Sequence, residues 1–401
     1  MSAAETLPPA VVLGLSPTGL HAVRALSAAG VEVHGVAEGR QAGAFSRYLA
    51  SVIDQGDGQH LLEDLVALAR SSMARPVLIP TSDQHVEFLM RHAAALASHF
   101  AFQPSYADGL AGEIMAKESF YALCEEHGVN YPRVISSDAA GLVRATQGLC
   151  FPLMVKPSEI HLAKQEMRGS KGWIVRDADE LAAIVPGIPA SAGTLLAQEI
   201  VPGPESEITL CCAWLDGEGQ AHQAFTARKL RQYPPGFGSA SLVQSHDEPE
   251  SLETFTRLLA AIGYRGIAAG EFKRHPETGE LSIIEINVRP SLWFSVSQSA
   301  GRPVVLDAYR RMAGLAPLPA HPQRQGVRWR YALKDLASAL SYRRHSDFIL
   351  PPPDIEVCGK ASTTVHPVHQ ADDPRPARRE VWLLARKAFD RLGTGLLGSG
   401  R

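Results

Sequence analysis

The chain has few of the features that announce a function outright. Its five cysteines (Cys124, Cys150, Cys211, Cys212 and Cys358) are an odd number without CxxC spacing. They are expected to be reduced, mostly buried thiols in a cytoplasmic protein. No apolar run approaches the roughly 20 residues a membrane helix needs. The opening stretch, MSAAETLPPAVVLGL, has no basic segment ahead of a hydrophobic one, so no signal peptide is expected. Positive charge is not in excess, with 39 Lys and Arg against 42 Asp and Glu, and nucleic acid is not an expected partner. There is no internal repeat and no low-complexity tract. What remains is a chain of 401 residues, 45% apolar and 20% charged, long enough for two or three globular domains.

The most informative stretch is residues 270–290, GEFKRHPETGELSIIEINVRP. AGEFKR and ELSIIEINV have strand character, and HPETG between them is turn chemistry, with Gly279 suited to a left-handed position. A hairpin pairing about Thr278 sets Glu271 opposite Glu285 and Ala269 opposite Asn287. Strand period then puts Glu271, Lys273, Glu285 and Asn287 on one face and Ile284, Ile286 and Val288 on the other. Like charges directly opposed across a ladder are destabilising, and a cation between them removes the cost. Two carboxylates and an amide oxygen are hard ligands that suit Mg²⁺. The plain alternative is a solvated hairpin face.

E-F-K, a short turn and I-I-E-I-N-x-R-P together resemble the metal-binding hairpin of the ATP-grasp superfamily, and within it the carboxylate–amine ligase branch that includes D-aspartate ligase-like proteins. The resemblance implies an α/β and α+β multidomain chain, an ATP-grasp fold preceded by a Rossmann-like parallel βαβ domain. It implies ATP and Mg²⁺, with Mn²⁺ as an alternative ion, at Glu271, Glu285 and Asn287.

The rest of the chain can be read in that light. Residues 10–40 alternate strand, turn, helix and strand, the opening of a parallel sheet covered by helices. Residues 14–19 read G-x-S-x-x-G with Glu38 downstream, but Ser16 replaces the glycine that lets a backbone approach a pyrophosphate, so dinucleotide binding is the minor reading there. In VLIPTSDQHVEFLM, Ser82 or Asp83 can cap a helix. The loop after such a strand can also line the acceptor pocket of the resembled family.

From about residue 105 the order is a helix carrying Lys117, then HGVNYP, then the strand FPLMVKP carrying Lys156. In the resembled family one lysine from each such element contacts the nucleotide phosphates. A lysine on a helix is otherwise an ordinary solvated charge. Residues 158–173 hold Lys171 between Gly169 and Gly172 and match the place of the family's phosphate-covering loop, or else form a plain surface loop. LLAQEIVPGPESEITLCC corresponds to the hinge between subdomains. Backbone groups at Glu199, Ile200 and Val201 would read adenine, and Glu207 would accept from ribose hydroxyls, unless both glutamates are ordinary edge charges.

FTARKLRQYPPGFGS places Arg228, Lys229 and Arg231 close together, suited to an anion or to a solvated basic strand. Arg289 shares the face of Glu285 and Asn287. It suits an acyl phosphate or a substrate carboxylate, with an ion pair to Glu271 or Glu285 as the alternative. Arg228, Lys229 and Arg289 are therefore the expected catalytic cations. The expected division is 1–104 Rossmann-like, 105–200 small subdomain, 201–320 large subdomain with the hairpin, and 321–401 a helical, Pro-rich extension. In that extension Val381, Ala385, Phe389 and Leu392 form an apolar stripe on a basic helix over 377–392. Packing on the body is its expected use, with peripheral membrane attachment the lesser alternative.

The expected activity is an ATP- and Mg²⁺-dependent ligation of a carboxylate to an amine through an acyl phosphate, on small molecules including an amino acid. The resembled fold often forms homodimers. The competing readings are a nicotinamide-dependent oxidoreductase built on residues 14–19 and a non-catalytic ATP-binding module.

Overall fold

The computed structural model describes residues 7–158, 172–344 and 348–397, with side chains through 386. Three sheets follow one another along the chain.

The first is parallel, in the order β3-β2-β1-β4, formed by β1 (Ala10–Leu13), β2 (Val33–Ala37), β3 (Ser51–Asp54) and β4 (Val77–Pro80). AVVL and VLIP are wholly buried, as strands covered on both faces should be. Helix Pro17–Ala28 follows β1 with proline in its first turn. Its entry turn is tight: a Cβ on Gly19 would lie 1.9 Å from the Gly14 carbonyl oxygen.

The second sheet is antiparallel, in the order β5-β8-β6-β7, from β5 (Val134–Ser137), β6 (Leu153–Pro157), β7 (Trp173–Val175) and β8 (Leu195–Glu199). Leu142, Leu153, Val155, Val175, Leu181 and Leu195 give it a core of its own.

The third sheet has seven strands in the order β13-β12-β9-β10-β11-β14-β15. These are β9 (Ile208–Leu215), β10 (Ala221–Tyr233), β11 (Ser239–Ser245), β12 (Gly266–Arg274), β13 (Leu281–Asn287), β14 (Val327–Arg330) and β15 (Thr363–Val365). Every residue of β9 is buried. Successive side chains alternate, so Cys211 enters the core shared with Phe255 and Phe272 while Cys212 enters the one shared with Phe225 and Trp293. Both cores also take residues of the parallel-sheet domain, including Val12 in one and Val11 in the other. All five cysteines are free, three of them buried.

The stretch from 321 onward departs from the expected division. β14 pairs with β11 and β15 with β14, so part of the supposed extension is built into the large sheet. Beyond it, the buried Asp373 accepts from Arg24 Nε at 3.0 Å, Ser46 Oγ at 2.7 Å and the Arg47 backbone N–H at 3.0 Å. These bonds tie the start of helix Arg375–Leu397 to the parallel-sheet domain. Of the expected apolar stripe, Val381 and Ala385 are exposed, and the side chains of Phe389 and Leu392 lie outside the described residues. Among the described residues no helix is long and apolar enough to cross a membrane.

Candidate active site

A cleft of about 390 Å³ opens between the small antiparallel sheet and the large one. Its floor is the hairpin β12–β13, whose register follows from the turn: Ala269 faces Asn287 and Glu271 faces Glu285. After Glu271 the register slips by a β-bulge, so that Phe272 faces Ile283 and Ile284 is the extra residue. Ile284 consequently lines the cleft, and Ile283 takes the core position expected of it. Asn287 donates its amide N–H to Glu285 Oε1 at 3.0 Å.

A side chain sets a positive charge beside Glu271. Lys229 of β10 forms an ion pair with Glu271, and both groups are largely buried. Burial pushes the Glu271 pKa up, Lys229 pulls against it, and the facing Glu285 adds to the rise. Lys156 on β6 and Glu199, Ile200 and Val201 at the end of β8 line the opposite wall. The Glu199 carboxylate accepts the backbone N–H of Cys150 at 2.8 Å, which ties the side chain to its own sheet.

The segment after β8 is held by residues whose roles the sequence did not announce. Lys273 Nζ donates to the carbonyls of Val201 and Gly203, both at 2.8 Å. Burial pushes its pKa down to about 8. Glu205 is fully buried and accepts the backbone N–H groups of Gln232 at 2.9 Å and Gly236 at 2.5 Å. It thereby shapes the turn whose Gly236, Phe237 and Gly238 form part of the cleft. Lys273 was visible on the hairpin face, but its bond to a linker 70 residues away was not. Nothing in PGPES marks Glu205.

Arg289 reaches the cleft, but its partner is neither Glu271 nor Glu285. It meets Asp83 fork to fork, Nε to Oδ1 at 2.7 Å and Nη2 to Oδ2 at 3.0 Å. Ser82, not Asp83, caps helix Asp83–Arg91 by accepting from the His85 N–H. Other expected site residues are not brought to the cleft. Arg228 turns away, its Nε on Glu248 and its Nη1 3.6 Å from Glu207, so Glu207 is engaged there as well. Lys117 is exposed at the first position of helix Lys117–Glu126 and does not line the cleft. Lys171 and residues 159–171 of the expected covering loop lie outside the described residues.

The turn over residues 14–19 is accounted for by protein packing. Gly14 has φ +88°, and a Cβ there would meet Thr81 Oγ1 at 2.9 Å and the His85 ring at 3.0 Å. Thr81 donates to the carbonyls of Leu13 and Gly14. His85, pushed down to about 4 by burial, sits 3.3 Å from Glu38. Side chains thus fill the space against the first glycine, the one that makes the tight turn.

No protein-family model matches the chain. It is similar to D-aspartate ligase of Enterococcus faecium (strain Aus0004), 24% identical over 242 residues, and spans 57% of that protein with 57% of its own length. Among solved structures it resembles N5-carboxyaminoimidazole ribonucleotide synthetase in an ADP complex, with TM-score 0.61, 15% identity and coverage of 78% of this chain and 79% of the other. It also resembles the L-amino acid ligase of Bacillus licheniformis, with TM-score 0.56, 14% identity and coverage of 78% and 75%. The likeness of fold therefore extends over most of the chain: a parallel-sheet domain followed by a small antiparallel sheet and a large, mostly antiparallel one around one cleft is the ATP-grasp fold.

Proposed function

We propose that this protein is an ATP-dependent ligase that joins a carboxylate to an amine through an acyl phosphate. One observation carries the reading: a single cleft gathers Lys156, the segment Glu199, Ile200 and Val201, and the group Lys229, Glu271, Glu285, Asn287 and Arg289 from two different sheets. The likeness to D-aspartate ligase and to an L-amino acid ligase supports an amino acid as one substrate.

In this reading the linker receives adenine. Glu199 N–H is bonded to Arg133 O and Ile200 N–H to Pro152 O, while Lys273 takes the Val201 carbonyl. None of these bonds uses the Val201 N–H or the Ile200 carbonyl, which form the donor–acceptor pair offered to the base. Lys156 and Lys229 bring ammonium groups to the phosphate oxygens from opposite walls. Glu271, Glu285 and Asn287 would hold Mg²⁺. The donor set fits, since two carboxylates held in register need a cation and Lys229 already stands beside one of them. Bound there, Mg²⁺ would neutralise phosphate charge.

The substrate carboxylate oxygen attacks the γ-phosphorus, a C–O–P link forms, and ADP leaves. The amine nitrogen then attacks the acyl carbon, the C–O bond to phosphate breaks, and the nitrogen gives up a proton as the amide forms. Arg289 steadies the anionic carboxylate and acyl phosphate, and the chain's contribution is mainly alignment and charge compensation. The test is ADP release with Mg-ATP and a matrix of amino acids and amines, with products read by mass. An amide product is expected. Turnover with bicarbonate or a fatty acid alone would overturn the amino-acid reading.

A further inference from the structure

We propose that Asp83 binds the ammonium group of the amine substrate, so that the Asp83–Arg289 pair holds both reactants. The proposal rests on the ligase reading above and adds the subsite for its second substrate.

A guanidinium has five N–H donors in a fixed plane. Nε and one N–H of Nη2 go to Asp83, and one N–H of Nη1 goes to the Pro290 carbonyl at 3.3 Å. Two donors remain, one on each terminal nitrogen, on a side chain that lines the cleft. The Asp83 carboxylate has about four acceptor positions and gives two to Arg289. Its side chain is 58% exposed, whereas that of Arg289 is 16% exposed. The remaining acceptor positions of Asp83, which is not itself part of the cleft lining, are therefore open to solvent next to Arg289.

One rigid pair thus offers N–H donors toward the cleft and carboxylate acceptors outward, a single side chain apart. An acyl phosphate and an attacking ammonium-derived amine need the same order of charges. The other carboxylates at the cleft have places in the reading above: Glu271 and Glu285 in the proposed metal site, with Glu271 also paired to Lys229, and Glu199 on the Cys150 N–H of its own sheet. Asp83 is not needed as a helix cap, since Ser82 serves there. It also comes from the parallel-sheet domain, 206 residues before Arg289 in sequence, so the second substrate would enter where that domain meets the large sheet.

The rival role is purely positional, with Asp83 fixing the Arg289 fork. Two nucleophiles separate the roles. Hydroxylamine is uncharged at neutral pH and traps acyl phosphates as hydroxamates without an ammonium to hold. Wild type and Asp83→Asn are compared with Mg-ATP, the carboxylate found in the screen, and either the amine substrate or hydroxylamine. Loss of a charge-assisted hydrogen bond predicts a fall in kcat/KM for the amine of about 10- to 100-fold. The fall with hydroxylamine should be at least tenfold smaller, with the KM for ATP within about twofold of wild type. Asp83→Glu, which keeps the charge, should recover part of the amine activity. Equal losses with the two nucleophiles would overturn the ammonium site and leave Asp83 as an orienting residue. Absence of both hydroxamate and ADP from wild type with every carboxylate would instead refute the ligase reading, and this proposal with it.

Discussion

Lys229 and Glu271 form an ion pair across an intervening strand, from β10 over β9 to β12. Glu271 is at the same time directly opposed to Glu285. Three charges therefore share one patch, and the carboxylates outnumber the lysine. The surplus negative charge is what a bound cation would balance, and the buried lysine keeps the patch foldable before one arrives.

Glu285→Gln should separate stability from turnover. It removes a like-charge opposition while keeping the shape of the side chain, so thermal stability should hold or rise slightly. The same change removes a metal-binding oxygen charge, and Mg²⁺-dependent turnover should fall by about 100-fold or more, roughly 3 kcal/mol. Differential scanning fluorimetry with a steady-state ADP assay measures both. Turnover within about threefold of wild type in the folded variant would remove the metal assignment.

Arg228 and Lys229 are adjacent and each pairs with a largely buried glutamate, but only Lys229 should matter to turnover per folded molecule. Arg228 is paired with Glu248 away from the cleft, and both side chains are largely buried. Arg228→Met leaves that glutamate with only His246 beside it and should cost about 3 kcal/mol of stability, with activity per folded molecule down less than tenfold. Lys229→Met sits in the cleft and should cost kcat by about 100-fold. Chemical denaturation combined with activity normalised to the folded fraction distinguishes them. A kcat loss for Arg228→Met as large as that for Lys229→Met would place Arg228 back in the chemistry.

How legible these roles were depends on how local they are. The facing of Glu271 and Glu285 follows from a short turn, and the sequence carries the turn. The bulge at Ile284 does not follow, because it is settled by how Phe272 and Ile283 pack beneath the sheet. Lys156 and the linker could be placed because strand, lysine and proline lie close together along the chain. The partners of Arg228 and Arg289 could not: Glu248 is 20 residues away in the segment after β11, and Asp83 belongs to another domain. Strand alternation turns Arg228 away from Lys229, to the side on which Glu248 lies. β14 and β15 were missed because four and three residues carry too little pattern to be recognised, and pairing to an existing edge supplies what the pattern lacks.

Lys273 should make nucleotide binding depend on pH in a way that folding stability does not follow. Its ammonium holds the Val201 and Gly203 carbonyls, and burial lowers its pKa from the ordinary 10.5 to about 8, with Glu205 and Glu207 pulling upward and Lys229 adding to the fall. Below pH 8 the group is protonated in both folded and unfolded chains. Between about 8 and 10.5 the unfolded chain binds the proton and the folded one does not, so this group makes stability rise with pH, by up to about 1.4 kcal/mol per unit. Nucleotide affinity should move the other way. As pH passes about 8 the amine gains a lone pair facing two carbonyls, the linker loosens, and a positive charge near the phosphates is lost. ADP titrations by calorimetry from pH 6.5 to 9.5 should show affinity falling above that point in wild type. Lys273→Arg, which stays charged, should lose the inflection, and Lys273→Met should bind about tenfold more weakly at every pH. An inflection that survives in Lys273→Arg would mean that another group at the cleft titrates, and that the lysine only packs against the linker.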